Sequence, residues 1–423
     1  MPAYSSSWAT MNDKRNQVFS SAILGNILEY YDFTVYSVFS IIIGHTFFPE
    51  SSELMQIIYS LGIFALGFIT RPIGGIFFGY IGDHFGRRIA LIYSMLGMTI
   101  STFSMGLIPG FDQIGYAAPI ILIILRLVQG LCISGEGTGS AIFVLEHFHN
   151  FRPGFVIALV QAANIAGTLL ASLVGLVIGK YFPDVDFAWR FAFLFGGLMG
   201  IVGFYLRLKV AETPIFEMMA HENKITKLPL TSVFKESYHA IIITFFVGSM
   251  TSSIVYLIKT YINVFYSQVL HLTNIESLAF VFYTSAVLMC TMPLIGALGD
   301  RIGKTVIIRN ATIAIFFLIT PVMYLISSTN FSYQIIGLTS LGILTASVAG
   351  TAYLFIISLF KPEHRYSGVA FGYNTGIAIF GSTSPIISRL LVETTGLYYS
   401  PAFYIMMVAM ILLIAMKIMD VKE

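Results

Sequence analysis

Apolar residues in this chain come in long blocks, and polar breaks cut them into twelve segments: 17–46, 55–79, 88–109, 117–145, 154–179, 190–208, 238–266, 275–298, 304–326, 332–359, 367–391 and 398–417. Each block is close to or beyond the roughly 20 residues that a helix needs to cross a bilayer. The pattern therefore predicts an all-α membrane protein with twelve transmembrane helices in two six-helix bundles. The first block follows a short polar stretch with Lys14 and Arg15, lacks a small-residue cleavage site and contains Glu29 and Asp32. It reads as a retained helix and not as a signal peptide. The longest polar break, 209–237, falls at the chain's midpoint and has helix-forming polar composition. It reads as a cytoplasmic linker between an N-terminal bundle, 1–208, and a C-terminal bundle, 238–423.

Self-comparison supports a division into halves. Gly79, Gly82, Asp83, Gly86 and Arg87 in GYIGDHFGRR recur as Gly296, Gly299, Asp300, Gly303 and Lys304 in GALGDRIGK, each pair 217 positions apart. Both copies follow the second span of their half, which is the mark of an internal duplication. A looser echo pairs Arg152, Gly154 and Asn164 with Arg365, Gly368 and Asn374. Lysine and arginine bias then orients the chain. With a cytoplasmic N-terminus, 17 of the 23 basic residues fall in inside segments and 3 (Lys180, Arg190 and Arg389) in outside loops, while Arg71, Arg126 and Lys259 lie within spans. Both termini are expected to be cytoplasmic. The chain stops at Glu423, a few residues after the last span, so no long heptad-type cytoplasmic helix is expected there.

Composition narrows the function. Hydrophobic residues make up 57% of the chain and charged residues 10%, against about 25% charged in soluble domains, so a soluble globule is excluded. The net charge of +2 is dispersed, which argues against a nucleic-acid partner. Cys132 and Cys290 each lie in an apolar run and are expected to pack in the core, without a disulfide or a metal spacing. His147 and His149 stand at i, i+2 and point apart on a helix, so they read as loop histidines and no metal site is expected. No G-x-x-x-x-G-K-[ST] loop occurs, so ATP is not the driving force. Nor is there a nucleophile with an appended base, so no enzyme and no cofactor are expected.

An ionised side chain at the centre of a membrane helix costs on the order of 2.5 to 3.5 kcal/mol, so the few charges inside the spans are the candidates for function. Glu29 and Asp32 are three apart and share a helix face; Asp32 lies about 15 residues in, roughly 22 Å deep at 1.5 Å per residue. Burial disfavours the charged form of a carboxylate, so either acid is a candidate to bind and release a proton, Asp32 slightly ahead. The alternative is a static hydrogen-bonded pair that fixes helix packing. Span 4 carries Arg126 and Gln129 on one face and Glu136 almost three turns on. Arg126 cannot deprotonate and must find a carboxylate on a neighbouring helix or on a substrate. Glu136, between Gly135 and Gly137, reads as a proton relay or a packing anchor. In the second half Lys259 is the lone intramembrane charge, either a substrate contact or a side chain that snorkels to the surface. Asn164 and Asn374, with Gln161 and Tyr373, are candidate cavity-lining groups, although each alone is more often a helix–helix hydrogen bond. Tyr30, Tyr31, Phe33 and Tyr36 form an aromatic string able to hold a quaternary ammonium by cation–π attraction. With 37 Phe and 23 Tyr in the chain, packing is the plainer reading of that string.

Five segments carry a family resemblance: GNILEYYDFTVY (25–36), RPIGGIFFGYIGDHFGRR (71–88), RLVQGLCISGE (126–136), ETPIF (212–216) and HRYSGVAFGYN (364–374). Together they resemble the major facilitator superfamily over essentially the whole chain, and within it the metabolite:proton symporter branch that holds the proline/betaine, α-ketoglutarate, citrate and shikimate carriers. Tyr30 departs from the tryptophan usual in that family, and SGEG at 134–137 replaces the common GGE. The resemblance implies a helix 4 arginine that acts in coupling, and it implies that Gly79, Gly82, Asp83, Gly86, Arg87 and Arg88, with Asp300 and Arg301 in the second copy, form a cytoplasmic latch. Asp83 is expected to cap the start of span 3 or to meet a basic partner, Gly79 and Gly82 to allow close helix approach, and Arg87 and Arg88 to anchor at the inner leaflet. Arg71 belongs to that neighbourhood or to the cavity floor.

The reading that results is a proton-driven symporter of the inner membrane, monomeric, working by alternating access. Asp32, Glu29 and Glu136 are the expected proton-coupling residues. Arg126, Tyr36, Tyr31, Gln129, Asn164, Lys259 and Asn374 are the expected substrate contacts. One cavity arginine suits one carboxylate, which favours a zwitterionic osmolyte such as proline or glycine betaine. The alternative is a dicarboxylate such as α-ketoglutarate, which needs Arg71, Arg126 and Lys259 together, or a shikimate-like acid; a membrane sensor on a transporter scaffold is the alternative from another class.

Overall fold

A computed structural model describes residues 3–148, 151–182, 185, 187–225 and 229–419. With no water in a bilayer core to pair exposed peptide groups, long apolar blocks fold as helices that satisfy their own backbone. Among the described residues eleven helices are long and apolar enough to cross a membrane, and a bent pair taken as one span, α1, makes twelve: α1 (Gln17–Val38, continued by Ser40–Phe47), α2 (Ile58–His84), α3 (Arg87–Leu107), α4 (Ala117–Phe148), α5 (Pro153–Tyr181), α6 (Trp189–Lys209), α7 (Tyr238–Val269), α8 (Ile275–Ile302), α9 (Lys304–Ile326), α10 (Phe331–Ser358), α11 (Pro362–Thr395) and α12 (Pro401–Ile418). The first is not straight: it bends by 60° between Val38 and Ser40. The linker carries two short helices, Pro214–His221 and Pro229–Glu236.

Local chemistry sets the helix ends. Ahead of α8, Thr273 accepts from the Glu276 backbone N–H while the Glu276 carboxylate accepts from that of Thr273 (3.3 and 3.0 Å), a reciprocal cap. Asn330 caps α10 through Ser332 N–H (2.9 Å). The duplicated glycines Gly86 and Gly303 start α3 and α9 with φ of 120° and 104°, a conformation that side chains other than glycine's rarely adopt. The sequence repeat is thus also a backbone repeat. Helices α7 and α11 each contain π-helical turns, Leu257–Tyr261 and Phe265–Val269 in the first and Ile377–Gly381 in the second.

The chain divides into two compact units, and each takes a helix start from the other sequence half. Unit 1 comprises 1–148, 163–230 and 362–370; unit 2 comprises 149–162, 231–361 and 371–423. In unit 1, α4 packs on α1, α2 and α3, and α6 on α1 and α3, around a core that includes Tyr31, Phe39, Phe47, Trp189 and Phe193. In unit 2, α10 packs on α7, α8 and α9, and α12 on α7 and α9. Burial follows position. The apolar window of α10 is 83% buried, while that of α8 is 28% buried and turns apolar residues such as Leu294 and Ile302 outward, as a lipid-facing helix does. This corrects one expectation: Cys132 is buried, but Cys290, on α8, is exposed and packs in no core.

Candidate functional site

Asp32 is buried in unit 1, and its Oδ1 has no hydrogen-bond partner among the described residues. The side chain of Thr102 on α3 lies beside its carboxyl. Thr102 in turn accepts from Gln129 Nε2 (2.9 Å), which also reaches the Asp32 carbonyl (3.3 Å). The other end of the Gln129 amide accepts from Arg126 Nη1. Arg126, Gln129, Thr102 and Asp32 therefore form one continuous chain of side chains across α4, α3 and α1. Arg126 and Gln129 meet because three residues is nearly one helical turn.

The rest of the Arg126 guanidinium stands among aromatic rings, 4.1 Å from the centroid of Tyr36 and 5.1 Å from those of Phe33 and Phe64. Tyr36 is fixed by its hydroxyl, which donates to the Ser60 carbonyl (3.2 Å). Arg71, at the break within α2, is also buried and lies 4.8 Å from Phe33 and 4.6 Å from Phe68. Two guanidiniums thus share the Phe33 ring. Neither forms an ion pair among the described residues, and Nε and Nη2 of each have no hydrogen-bond partner there. Buried donors of this kind cost free energy when left unpaired, and a planar guanidinium fork matches the two oxygens of a carboxylate. The arrangement is chemically suited to an anionic group. Tyr31 is placed elsewhere: its ring sits in the core against Phe195 and its hydroxyl donates to the Ala192 carbonyl (2.8 Å).

Glu29, one turn before Asp32, is buried with its carboxylate toward Gly137 on α4. Glu136 is paired with Arg207 at the end of α6, and both are buried. By position in the sequence Arg207, at the end of the sixth apolar block, is one of the 17 basic residues assigned to the inside. The signal for its burial is the spacing of Trp189, Ala192, Phe193, Gly196, Gly200, Gly203 and Arg207, one helical stripe that is buried throughout. Thr102 offered no comparable signal, since a hydroxyl on an apolar helix belongs to no motif.

The duplicated loops present their aspartates to helix starts. Within unit 1, Asp83 accepts from the backbone N–H groups of Tyr366 and Ser367 (3.0 and 2.8 Å) at the start of α11; within unit 2, Asp300 accepts from those of Gly154 and Phe155 (2.7 and 3.0 Å) at the start of α5. Of the two roles open to Asp83, it meets the basic partner, Arg87, while the start of α3 is met by Glu212, which accepts from Arg88 N–H (3.0 Å). Burial pushes the Glu212 carboxyl above the usual carboxylate range, against the pull of the Thr213 and Arg88 N–H groups. Arg87 is fully buried. It donates to the carbonyls of Gly82 (2.8 Å) and Pro362 (2.6 Å) and pairs with Asp83 (3.5 Å) and Glu146 (3.3 Å). Glu146 also takes Arg365 (3.0 Å) and the Thr213 hydroxyl (2.6 Å). Arg88 is half-buried, with Nη2 on the Leu208 carbonyl (2.6 Å). A side chain at Gly82 would collide with the Tyr366 ring, and one at Gly79 with Ser367. Arg301 is exposed.

Of the remaining candidates, Asn164 is buried in unit 1, while Asn374 is buried and Lys259 half-buried in unit 2, Lys259 within the first π-helical turn of α7. His147 is half-buried and bonds the Phe143 carbonyl (2.8 Å); His149 lies outside the described residues. Among the described residues no group of three or more His, Cys, Asp or Glu is arranged to hold a metal ion.

Comparison with known proteins places this geometry. The sequence pattern of the Major Facilitator Superfamily matches residues 22–384. The glycine betaine/proline/ectoine/pipecolic acid transporter OusA of Dickeya dadantii (strain 3937) is 30% identical over 409 residues, 93% of this chain and 81% of the relative. The proline/betaine transporter of Escherichia coli (strain K12) is 30% identical over 415 residues, 95% of this chain and 82% of the relative. Among solved structures, the proton:xylose symporter XylE bound to 6-bromo-6-deoxy-D-glucose superposes with a TM-score of 0.74 at 17% identity, covering 97% of this chain and 96% of that one. This last likeness is one of fold.

Proposed function

The chain belongs to the major facilitator superfamily of membrane transporters, and from that premise we propose that it is a proton-coupled symporter of a small zwitterionic osmolyte such as proline or glycine betaine. The observation that carries the reading is the chain of contacts from Arg126 through Gln129 and Thr102 to Asp32. It links a site suited to a carboxylate with a buried acid suited to a proton. The names of the relatives, which are transporters of proline and betaine, support the substrate class.

In this mechanism the substrate carboxylate takes the unused donors of Arg126 and Arg71. Its charge offsets one of the two guanidinium charges, and its ammonium end faces the rings of Tyr36, Phe33 and Phe64. As Arg126 turns to the substrate it releases Gln129, which alters the hydrogen bonding of Thr102 and with it the proton affinity of Asp32. Glu29, on the same face of α1, is the second proton site. The alternating-access cycle is latched by the duplicated loops, with Asp83, Arg87, Gly79, Gly82 and Gly86 in one copy and Asp300 and Arg301 in the other. The protein works in the plasma (inner) membrane as a monomer with both termini cytoplasmic and uses the proton gradient without a cofactor. Arg71 and Arg126, two of the three cations expected to hold a dicarboxylate, share one ring, which favours a second reading in which each guanidinium takes one carboxylate of such a substrate.

The test is uptake of labelled proline, glycine betaine and α-ketoglutarate into proteoliposomes under an inward proton gradient, for wild type and Asp32→Asn. Accumulation of a zwitterion by wild type, reduced to mere equilibration in Asp32→Asn, is the expected result. Accumulation of α-ketoglutarate alone selects the second reading. Binding without accumulation of any of the three overturns the symporter reading in favour of a sensor or a facilitator.

A further inference from the structure

Inside unit 1, between α1, α3, α4 and α6, lies a small cavity lined by Leu28, Glu29, Asp32, Met95, Met98, Thr99, Glu136 and Gly200. It has room for about one water molecule. A buried water needs two to four polar partners, and this wall supplies three carboxylates and a hydroxyl. The acids alone would not make a site. The unpartnered and buried Asp32 Oδ1, on a residue that lines the cavity, is the independent sign that something polar belongs there.

The three acids are not equivalent. Arg207 pairs with Glu136 from the side of α6, and a second, weaker donor, Ser94 Oγ, stands 3.4 Å from its other oxygen. A side chain at position 25 would meet both the Arg207 Nη2 and the Glu136 Oε1 at 2.7 Å, so Gly25 on α1 is what lets the pair close. Because a guanidinium does not give up its proton, protonating Glu136 would leave Arg207 as an uncompensated buried cation. Resting on the proton-coupled reading above, we infer that Arg207 is a positioning residue of the proton pathway: it holds Glu136 as a fixed negative charge, so the proton passes between Asp32 and Glu29 through one water in this cavity, and Glu136 never carries it.

The step balances. A proton arriving at Asp32 forms an O–H bond on its carboxylate. On transfer that bond breaks, the proton joins the water oxygen, and the same water gives one of its own protons to a Glu29 carboxylate oxygen. Asp32 regains its negative charge, Glu29 loses its own, and the water is unchanged. Around this path, α1 brings Glu29, Asp32 and Tyr31, α4 brings Glu136, α6 brings Arg207, and the start of α11 brings Tyr366, whose hydroxyl donates to the Gly135 carbonyl. Among the described residues, α3 contributes only uncharged groups to the cavity wall and to Glu136: Met95, Met98, Thr99 and Ser94.

The inference requires two substitutions to act with opposite sign. Arg207→Gln leaves a lone negative charge beside the pathway and favours protonation of its neighbours. Glu136→Gln leaves a lone positive charge and disfavours it. In proteoliposomes the pH midpoint of gradient-driven proline or betaine uptake should therefore rise by about one unit in Arg207→Gln and fall by about one unit in Glu136→Gln. Whatever uptake remains in the double variant should have the wild-type midpoint. Arg207→Lys, which keeps the charge, should also keep the midpoint. If either single variant fails to reach the membrane, the double variant, whose buried charges balance, decides alone. Gradient-driven accumulation with the wild-type midpoint supports the inference; counterflow exchange retained without accumulation makes Glu136 a proton carrier and overturns it. Shifts of the same sign, or no shift, also overturn it. A wild type that accumulates nothing under a proton gradient removes the proton-coupled reading itself, a result separate from any of these.

Discussion

Thr102 carries no charge, yet it accepts from Gln129 and lies beside the Asp32 carboxyl, so one hydroxyl stands between the arginine and the acid. Valine has nearly the same shape and no hydroxyl. Leaving a buried polar group without its partner costs about 1 to 3 kcal/mol, so Thr102→Val should lower proton-driven accumulation by roughly fivefold or more while substrate counterflow stays within about threefold of wild type. Equal loss of both activities would assign Thr102 to packing and not to coupling. Arg126 and Arg71 show the same dependence on neighbours. Each is an isolated basic residue in an apolar run, and only the rings of Phe33, Tyr36, Phe64 and Phe68 and the donors left unpaired give the pair its character as an anion site.

At the scale of elements, the duplicated loop works through helix ends. Peptide N–H groups in the first turn have no partner inside the helix, and the macrodipole makes that end attractive to a negative charge. Asp83 and Asp300 meet both demands for α11 and α5. Glu146 then ties Arg87, Arg365 and Thr213 together in unit 1. Removing one member of a buried charged group costs about 3 to 5 kcal/mol, because the remaining charges lose compensation. Glu146→Gln should therefore lower the thermal unfolding midpoint of the purified protein in detergent by several degrees. An unchanged midpoint would show that water reaches Arg87 and screens it.

For the whole molecule, the bias of 17 inside against 3 outside basic residues predicts which side of the membrane holds the linker. In a background with Cys132 and Cys290 replaced by serine, a cysteine at the exposed position Glu222 should escape a membrane-impermeant maleimide in intact cells and react in inside-out vesicles. Labelling in intact cells would invert the topology. The two compact units do not coincide with the sequence halves. Residues 151–162 and 362–370 each pack in the unit opposite to their own sequence half, because the aspartates of the repeated loops take up the N–H groups of those helix starts.

The sequence by itself determined the membrane class, the twelve spans and the internal repeat. Hydrophobic length and glycine spacing are local properties, and a bilayer leaves a long apolar block no choice but helix. It also marked Asp32, Arg126 and Gln129, since a charge or amide inside an apolar run is visible without any neighbour. Tertiary structure decided what each of these groups faces. Periodicity names the residues that share a helix face and is silent on which helix that face meets. That is why Arg207 read as a cytoplasmic charge until α6 was seen to carry it inward to Glu136, why Glu212 and not Asp83 caps α3, why Cys290 is exposed, and why Thr102 is recognisable only as the neighbour of Asp32.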